Sequence, residues 1–324
     1  YSEEYDKYLL SLFDHPKDEE SLKSYLLATS RGCSQGCAIC CSGGLSKFQF
    51  FSAARMLREL EKIAAHAKLK PGEAANVFFV DSNFNNNPRR LIEFADLYAK
   101  SALRDKFHFY VRHNTVNGFL KPGPAGAKSP NVELIDAYAR LGIHQVFMGV
   151  DSYDDAGTLT LKSNRNLLAK KGTAARPTYT FDEVRALVRS FEARGLASRG
   201  FFLTNNPWVG DLDRIDGYYN LLELWLENPH FSVDTRNRDV RRLKPFAGSP
   251  ISEVAAKMEN APIKDGRFIA KGALGEIDEL MEFSELNAEA GKEGTAAGLE
   301  QFRESVNRLR KASEKISGDP AGQL

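Results

Sequence analysis

Residues 24–44 read SYLLATSRGCSQGCAICCSGG, and this stretch decides how the rest of the chain is interpreted. Its first seven residues form a short apolar run that predicts a β-strand. Three cysteines follow, with three residues between Cys33 and Cys37 and two between Cys37 and Cys40. Residues 53–67 then place apolar side chains at helical spacing. The cysteines are therefore predicted to lie in a loop between a first strand and a first helix.

The clustering of the cysteines indicates metal or redox chemistry. All four lie between positions 33 and 41, whereas a disulfide scaffold spreads its cysteines to link distant segments. Three thiolates at this spacing can converge on one iron–sulfur cubane and leave its fourth iron open to a chelating molecule. Gly32 and Gly36 allow the backbone to wrap closely around such a cluster. No cysteine follows Cys41, so a second cluster with its own cysteines is not expected.

Zinc is the main alternative at this loop. A structural zinc site would need a fourth ligand, which Cys41 or a distant histidine would have to supply. Adjacent Cys40 and Cys41 do not easily point at the same metal. Cys41 is therefore interpreted as a small packing residue or, in a chemical role, as a hydrogen-atom donor or alternate ligand. Inert buried thiols are the remaining interpretation.

The composition is ordinary for a soluble globular protein, with 42% hydrophobic and 27% charged residues. The net charge of +1 lacks the basic excess that is typical of nucleic-acid binders. No apolar run approaches the ~20 residues that a membrane span needs. Clustered thiols favour a reducing compartment. We therefore expect a cytoplasmic protein without nucleic-acid or membrane partners.

Six strand–helix units follow one another along the chain and predict an α/β fold with a parallel sheet. Six units are too few for a closed eight-fold barrel. We predict a partial (β/α)6 TIM-like barrel at 24–252, after an arm or helix at 1–23 and before a mostly helical C-terminal extension at 253–324. The predicted strands are 24–30, 76–80, 107–111, 145–150, 200–204 and 231–243. The predicted helices are 53–67, 89–101, 132–141, 181–195 and 212–227, with 276–286 and 298–313 in the extension.

The pattern Cys33-x3-Cys37-x2-Cys40, after a first strand and before a first helix, resembles the motif of the radical S-adenosylmethionine (SAM) superfamily. The resemblance implies that these cysteines hold a [4Fe–4S] cluster whose open iron binds the amine and carboxylate of SAM. It also implies the partial barrel that the periodicity predicts. One departure is mild, because Ile39 stands where the family usually has an aromatic residue.

The resemblance places the other SAM contacts at the carboxyl ends of the strands. Asp81-Ser82-Asn83-Phe84 follows the second strand and is similar to the D-x-N-F variant of cobalamin-associated radical SAM groups. It implies cofactor contacts from Asp81, Ser82 and Asn83, with Asp81 and Asn83 accepting from the SAM ammonium. The alternative is a turn with helix-capping residues at 85–87.

Further polar residues follow the third and fourth strands. Arg112 can pair with a carboxylate of SAM or substrate, and Asn114 is a candidate cofactor contact. His113 is a candidate base or substrate-binding residue, with an exposed loop residue as the alternative. Asp151 and Ser152 resemble a G-x-E/D-S pattern, which implies contacts to the carboxylate and ribose of SAM. The alternative for this pair is a turn and helix N-cap.

The last two strand ends complete the predicted site. Asn205 can bind ribose or substrate, or form a turn. Residues 243–250 (LKPFAGSP) resemble the P-x-x-G-T-P-like segment of methylthiotransferase-type and cobalamin-type members. In that segment the backbone lies close to adenine, which makes Phe246 and Gly248 candidate contacts. Arg236 and Arg238 precede it and face either the pocket or surface acids.

The resemblance implies reductive cleavage of SAM to a 5′-deoxyadenosyl radical that abstracts a hydrogen atom from a substrate. We expect a small molecule, such as a metabolite or natural product, and a flavodoxin- or ferredoxin-type electron donor. A peptide or carrier-bound substrate is the alternative. Methylation, dehydrogenation, epimerisation, cyclisation and rearrangement stay open, as does cobalamin, for which no domain is seen before residue 24. A non-catalytic iron–sulfur or zinc-binding interaction protein is the alternative of another class.

Overall fold

The structure, a computed structural model, describes most of residues 24–257 outside three longer gaps at 162–177, 204–216 and 234–246, and a few residues beyond. The described residues are 24–40, 48–70, 72–123, 126–143, 145–152, 155, 161, 178–203, 217, 220–221, 223–225, 227–233, 247, 249–257, 263–264, 267–268, 304 and 307. Statements about structure below concern these residues.

The elements alternate between strand and helix along most of the chain. The strands are β1 (Ser24–Leu27), β2 (Ser30–Arg31), β3 (Gln49–Phe50), β4 (Ala75–Phe79), β5 (Phe107–Thr115), β6 (Leu120–Pro122), β7 (Lys128–Pro130), β8 (Gln145–Asp151), β9 (Ala197–Phe202), β10 (Phe231–Val233), β11 (Ile263–Lys264) and β12 (Arg267–Phe268). The helices are α1 (Ala53–Ala67), α2 (Pro88–Lys100), α3 (Val132–Arg140), α4 (Phe181–Glu192) and α5 (Pro250–Ala255).

The central sheet has six strands in the order β1-β4-β5-β8-β9-β10, which is also their order along the chain. β1 pairs in parallel with β4, and β4 pairs in parallel with β5. Among the described residues the order starts at β1 and ends at β10, so the sheet does not close on itself. The predicted α/β fold with an open, partial barrel-like parallel sheet is confirmed.

The chain divides into two compact units. The first comprises Tyr1–Ser34, Leu45–Met148 and Ala186–Ser198, and the second comprises Gln35–Gly44, Gly149–Arg185 and Arg199–Leu324. The cysteine loop is shared, because Cys33 belongs to the first unit while Cys37 and Cys40 belong to the second.

Helix α1 forms where the apolar spacing predicts it. The hydroxyl of Ser52 caps the helix by accepting from the Arg55 amide at 3.3 Å. Lys68 ends it in the left-handed conformation, with φ 49°. The buried residues recur every three or four positions and so share one face; they are Ala53, Met56, Leu60, Ile63 and Ala67.

Strands β4 and β5 bury one face against α2. The rings of Phe79 and Phe109 lie 5.4 Å apart, and both contact Phe94 of α2 edge-on. The opposite face carries Phe78 and Tyr110, whose rings stack at 4.6 Å, and Tyr110 is 39% exposed. This alternation is the period of two that a half-buried strand requires.

The structure differs from the predicted elements in several places: β1, β9 and α4 have other bounds, and β2, β3, β11, β12 and α5 were not predicted. Two further differences concern β5 and the segment after it. Strand β5 extends to Thr115, so Arg112–Asn114 lie within the strand rather than after it. The proline- and glycine-containing segment between β5 and α3, where no strand or helix was predicted, holds the antiparallel hairpin of β6 and β7. Strands of three residues that include a proline give too little periodicity to be predicted.

The predicted domain bounds stay predictions, because residues 1–23 and most of 253–324 lie outside the described residues. Within the extension, β11 and β12 pair in antiparallel fashion, and Glu304 and Asn307 are helical. No helix in the described part of the chain is both long and apolar enough to cross a membrane.

Candidate functional site

The cysteine loop follows β1 and the short strand β2. Cys33, Cys37 and Cys40 are each partly exposed, and none of them forms a disulfide. The Cys40 amide donates to the Cys37 carbonyl at 3.3 Å, which forms a turn between these two residues. Gly32 and Gly36 hold left-handed conformations with φ 79° and 65°, which a residue with a side chain rarely adopts. The predicted wrapping role of the two glycines therefore agrees with the backbone.

Three partly exposed thiols on a tightly turned loop fit the chemistry of a cluster held by three thiolates. Within the described residues, however, no three His, Cys, Asp or Glu side chains are grouped closely enough to hold a metal ion. The ligand set of Cys33, Cys37 and Cys40 thus stays a prediction from their spacing. Cys41 lies outside the described residues.

Ile39, the departure from the family pattern, has an apolar environment in the second unit. It packs against a buried cluster of Leu161, Ile251 and Ala255, which Leu203 also contacts. The neighbouring backbone is fixed as well, because the Ala38 amide donates to the Leu161 carbonyl at 2.9 Å and the Ala38 carbonyl accepts from Ile251 at 3.0 Å. An aliphatic side chain therefore fills this position through packing.

Asp81 follows β4 and is almost fully buried, with 1% exposure. Its carboxylate accepts from the Thr29 amide at 3.2 Å and from the Thr29 hydroxyl at 2.8 Å. It also accepts from the Ser30 hydroxyl. These three donors all belong to the segment that leads from β1 toward Cys33.

Arg90, in the first turn of α2, reaches the same segment from the other side. Its Nη1 donates to the carbonyl and hydroxyl oxygens of Thr29 at 3.0 and 3.3 Å, and its Nη2 donates to the Phe84 carbonyl at 3.3 Å. Arg90 is 3% exposed. Burial lowers the pKa of Arg90, while the negative charge of Asp81 favours the cation. The two opposite charges are thus buried around one threonine.

An asparagine-rich turn follows Asp81 and connects three segments of the first unit. The Asn85 amide pairs with the backbone of Thr115, accepting from its N–H at 3.0 Å and donating to its carbonyl at 2.8 Å. Asn86 accepts from the Ser34 hydroxyl at 2.6 Å, next to Cys33. Asn87 caps α2 by accepting from the Arg90 amide at 3.2 Å. Of the helix-capping residues predicted as the alternative at 85–87, Asn87 caps a helix in the structure.

Asn83 carries a buried acceptor that has no partner among the described residues. Its Nδ2 donates to Asn86 and to the Thr115 hydroxyl at 3.3 and 3.4 Å. Its Oδ1 is buried without a hydrogen bond, and the residue is only 1% exposed. An unsatisfied buried acceptor costs about 1–3 kcal/mol, so this atom is suited to a ligand that brings a donor. Ser82, by contrast, is exposed.

The three predicted residues of β5 have different surroundings. Arg112 and His113 are exposed, whereas Asn114 is 3% exposed. The amide of Asn114 accepts from the Tyr138 hydroxyl and donates to the Phe147 carbonyl, both at 2.7 Å. Burial raises the pKa of Tyr138 well above its ordinary value, so its hydroxyl stays a donor. The Asn114 side chain is thus engaged within the protein.

The pKa of His113 is shifted below its ordinary value. Although the residue as a whole is exposed, partial loss of solvation of the imidazole is the main cause; repulsion from Arg112 adds to it, while Asp81 opposes the shift. The imidazole is therefore neutral at pH 7 and able to accept a proton or a hydrogen bond.

The end of β8 belongs to the second unit. Asp151, its last residue, holds a left-handed conformation with φ 66°. Its carbonyl accepts from the Leu203 amide at 3.1 Å, and the Tyr179 hydroxyl donates to the preceding Val150 carbonyl at 2.6 Å. Ser152 is 3% exposed. A positive φ is uncommon for a residue with a side chain, although aspartate adopts it more often than most.

Other predicted residues lie outside the described part of the chain; these are Cys41, Asn205, Arg236, Arg238, Phe246 and Gly248. Thr29, Ser30 and Arg90 were not predicted from the sequence, and Asn85 was predicted only as a helix-capping residue. For Arg90 a signal existed, because the position lies on the apolar stripe of α2 with Leu91, Phe94 and Tyr98. A charge on a buried stripe indicates an internal partner.

No family model matches the sequence. A curated relative, the probable dual-specificity RNA methyltransferase RlmN of Thermus thermophilus, is 39% identical over 77 residues. This match covers 22% of the chain and 22% of the relative. The chain thus aligns with less than a quarter of that protein's length.

Two solved structures resemble this one over much longer stretches. The first is the cobalamin-dependent S-adenosylmethionine radical enzyme OxsB with aqua-cobalamin bound, with a TM-score of 0.56 and 17% identity, covering 92% of this chain and 48% of OxsB. The second is the radical S-adenosylmethionine methyltransferase TsrM from Kitasatospora setae, with a TM-score of 0.51 and 20% identity, covering 76% of this chain and 43% of TsrM. The chain spans about half the length of these enzymes or less.

At these identities the likeness concerns the fold. The chain has the fold of radical SAM enzymes, and its three-cysteine loop stands after the first strand of that fold. The predicted resemblance to the radical SAM superfamily is confirmed at this level.

Proposed function

We propose that this protein is a radical SAM enzyme that binds a [4Fe–4S] cluster through Cys33, Cys37 and Cys40. The observation that carries the proposal is the position of the cysteine loop, which leaves β1 beside a turn whose buried Asn83 Oδ1 lacks a donor among the described residues. When bound, the cluster supplies the electron that cleaves SAM into methionine and a 5′-deoxyadenosyl radical. Hydrogen abstraction from a substrate follows from that cleavage.

Three residues of the first unit are proposed to contact SAM or the substrate. Asn83 Oδ1 is placed to accept from a ligand ammonium, since it is buried and has no partner in the described part of the chain. Arg112 is exposed and positively charged, which suits a carboxylate of SAM or substrate. His113 is neutral at pH 7, which suits a base or a hydrogen-bond acceptor. Asp151 and Ser152, which belong to the second unit, stay predictions from the sequence for contacts to the ribose and carboxylate.

We propose a small-molecule substrate, an electron donor of the flavodoxin or ferredoxin type, and a cytoplasmic location. The balanced net charge of +1 supports a substrate other than nucleic acid. The three thiols support a cytoplasmic location, because that compartment is reducing and oxidation would remove them as ligands. A peptide or carrier-bound substrate is the alternative. It would be identified if the isotope label of the product appeared in the protein or peptide fraction rather than in the small-molecule fraction.

The test is anaerobic reconstitution followed by dithionite and SAM. We expect a brown protein that releases 5′-deoxyadenosine, measured by liquid chromatography and mass spectrometry. Cys40→Ser should lose the cluster and the product, whereas Cys41→Ala, the matched control, should keep both. Full iron and sulfide content without 5′-deoxyadenosine would contradict the proposal and favour an iron–sulfur sensor. A colourless protein with one zinc would favour the interaction module.

Methyl transfer is a second candidate, because RlmN and TsrM are both named as methyltransferases. The same reaction mixtures decide it when a candidate methyl acceptor is added, because the methyl group of SAM must form a bond to an acceptor atom. Methyl transfer from SAM releases S-adenosylhomocysteine, which is separable from 5′-deoxyadenosine. Formation of 5′-deoxyadenosine alone supports the main proposal, and formation of S-adenosylhomocysteine supports methyl transfer.

A further inference from the structure

The carboxylate of Asp81 is already engaged by the protein. A carboxylate has about four acceptor sites, and three of them are taken by the amide and hydroxyl of Thr29 and the hydroxyl of Ser30. The residue is 1% exposed. A ligand ammonium would have to displace these donors or compete for the last lone pair. The structure therefore favours a different role for Asp81 from the SAM contact that the sequence predicts.

Thr29 is the centre of this arrangement. Its side chain and amide donate to Asp81, while its carbonyl accepts from Arg90 Nη1 at 3.0 Å and from the Phe51 amide at 2.8 Å. Burying the carboxylate and the guanidinium together keeps either charge from lying alone in the interior, which would be strongly unfavourable. Each part of Thr29 that can form a hydrogen bond is therefore engaged.

This arrangement also holds both ends of the cysteine loop. Ser30 pairs with Phe50 and Arg31 pairs with Gln49 in the short antiparallel ladder of β2 and β3. The Phe51 amide joins the ladder at Thr29. Cys33 follows Thr29 by four residues, a reach of at most about 14 Å along an extended chain. Fixing Thr29 therefore restricts where the first thiol can lie.

We infer that Asp81 and Arg90 are positioning residues that fix Thr29 and Ser30 and thereby the start of the cysteine loop. Asn83, two residues after Asp81, then provides the contact to SAM at this strand end. The inference rests on the proposed function for the identity of the ligand, but the fixing of the loop does not require SAM. Iron retention in the absence of SAM can therefore test the fixing of the loop by itself.

The first test compares Asp81→Asn with Asn83→Ala. In Asp81→Asn one oxygen becomes an NH2 group that faces donors of Thr29 and Ser30, so the segment loosens. We expect iron retained per chain after gel filtration with a chelator to fall about 10-fold, the lower range for losing a residue that orients metal ligands. SAM affinity per cluster, followed by the electron paramagnetic resonance change on SAM addition, should stay within about twofold. Asn83→Ala should retain iron like the wild type but bind SAM more weakly.

A second pair of variants covers the case in which Asp81→Asn fails to fold. Thr29→Val keeps the shape of the side chain but removes the hydroxyl that joins Asp81 to Arg90, whereas Thr29→Ser keeps the hydroxyl. We expect Thr29→Val to lose iron faster than the wild type and Thr29→Ser to retain it. Equal retention by the two variants would overturn the inference.

The remaining outcomes also decide the question. Asp81→Asn with full iron and weakened SAM binding would make Asp81 a SAM ligand and overturn the inference. A wild-type protein that binds the cluster but not SAM would contradict the proposed function, while the iron-retention pair at Thr29 would still support or overturn the positioning role.

Discussion

Replacing Gly118 with alanine should destabilise the protein through a neighbour that is distant in sequence. A Cβ at Gly118 would overlap the side-chain amide of Asn85, which is fully buried. Asn85 cannot move aside without breaking its two hydrogen bonds to the Thr115 backbone, at 3.0 and 2.8 Å. The backbone of Gly118 does not require glycine, so steric overlap is the cause of the effect.

The magnitude follows from the bonds that are lost. Each protein hydrogen bond contributes about 0.5–1.5 kcal/mol net, and a buried polar group left unpaired costs about 1–3 kcal/mol. Two broken bonds with partial resolvation therefore lower the free energy of unfolding by about 2–4 kcal/mol. For a domain of this size the melting temperature falls roughly 2–4 °C per kcal/mol. A fall of roughly 4–16 °C is expected for Gly118→Ala.

The assay is urea unfolding followed by circular dichroism, in two backgrounds. In the wild type, Gly118→Ala should have the full effect. In an Asn85→Ala background the overlapping amide is gone, so adding Gly118→Ala should change the free energy of unfolding by less than about 0.5 kcal/mol. The same cost in both backgrounds would refute the reasoning, because it would locate the strain in the Gly118 backbone rather than in its contact with Asn85.

Two further predictions concern buried and charged groups. Tyr138→Phe removes the donor to Asn114 and should lower the free energy of unfolding by about 1–2 kcal/mol in the same urea assay, whereas the exposed Tyr110→Phe should stay within about 0.5 kcal/mol; equal effects would contradict the assigned bond. The lowered pKa of His113 means that the unfolded chain binds its proton more readily, so stability should fall as the pH drops through about 6.5. His113→Gln should flatten that part of the profile between about pH 7.5 and 5.5, and an unchanged slope would assign it to other groups.

Local periodicity is what made most of the fold predictable. Helix α1 runs over the predicted residues, and α2 and α3 each differ from the prediction by one residue at one or both ends. These elements carry their own apolar stripe, which needs no knowledge of distant partners. The hairpin of β6 and β7 was not predictable in this way, because its strands have three residues each and include prolines.

The sequence predicted where the candidate site lies, but not which role each of its residues has. Parallel strands bring their carboxyl ends to one edge, so Asp81 and Asn83 were expected there from the chain order alone. Which atoms of these residues can meet a ligand depends on Thr29, which lies 52 residues before Asp81 in the sequence. Arg90 and Asn85 act through similar long-range partners. Such pairings follow from the packed geometry rather than from spacing.

The short ladder at the base of the cysteine loop has a consequence for metal capture. Because Ser30–Arg31 pairs with Gln49–Phe50, the chain between them is tied into a ring whose ends are set before any ion arrives. Macrocyclic chelators behave in the same way: they bind metals tightly because the closed ring loses little conformational entropy on binding. For the proposed cluster we therefore expect metal loss and unfolding of the sheet to be separable events with different rates.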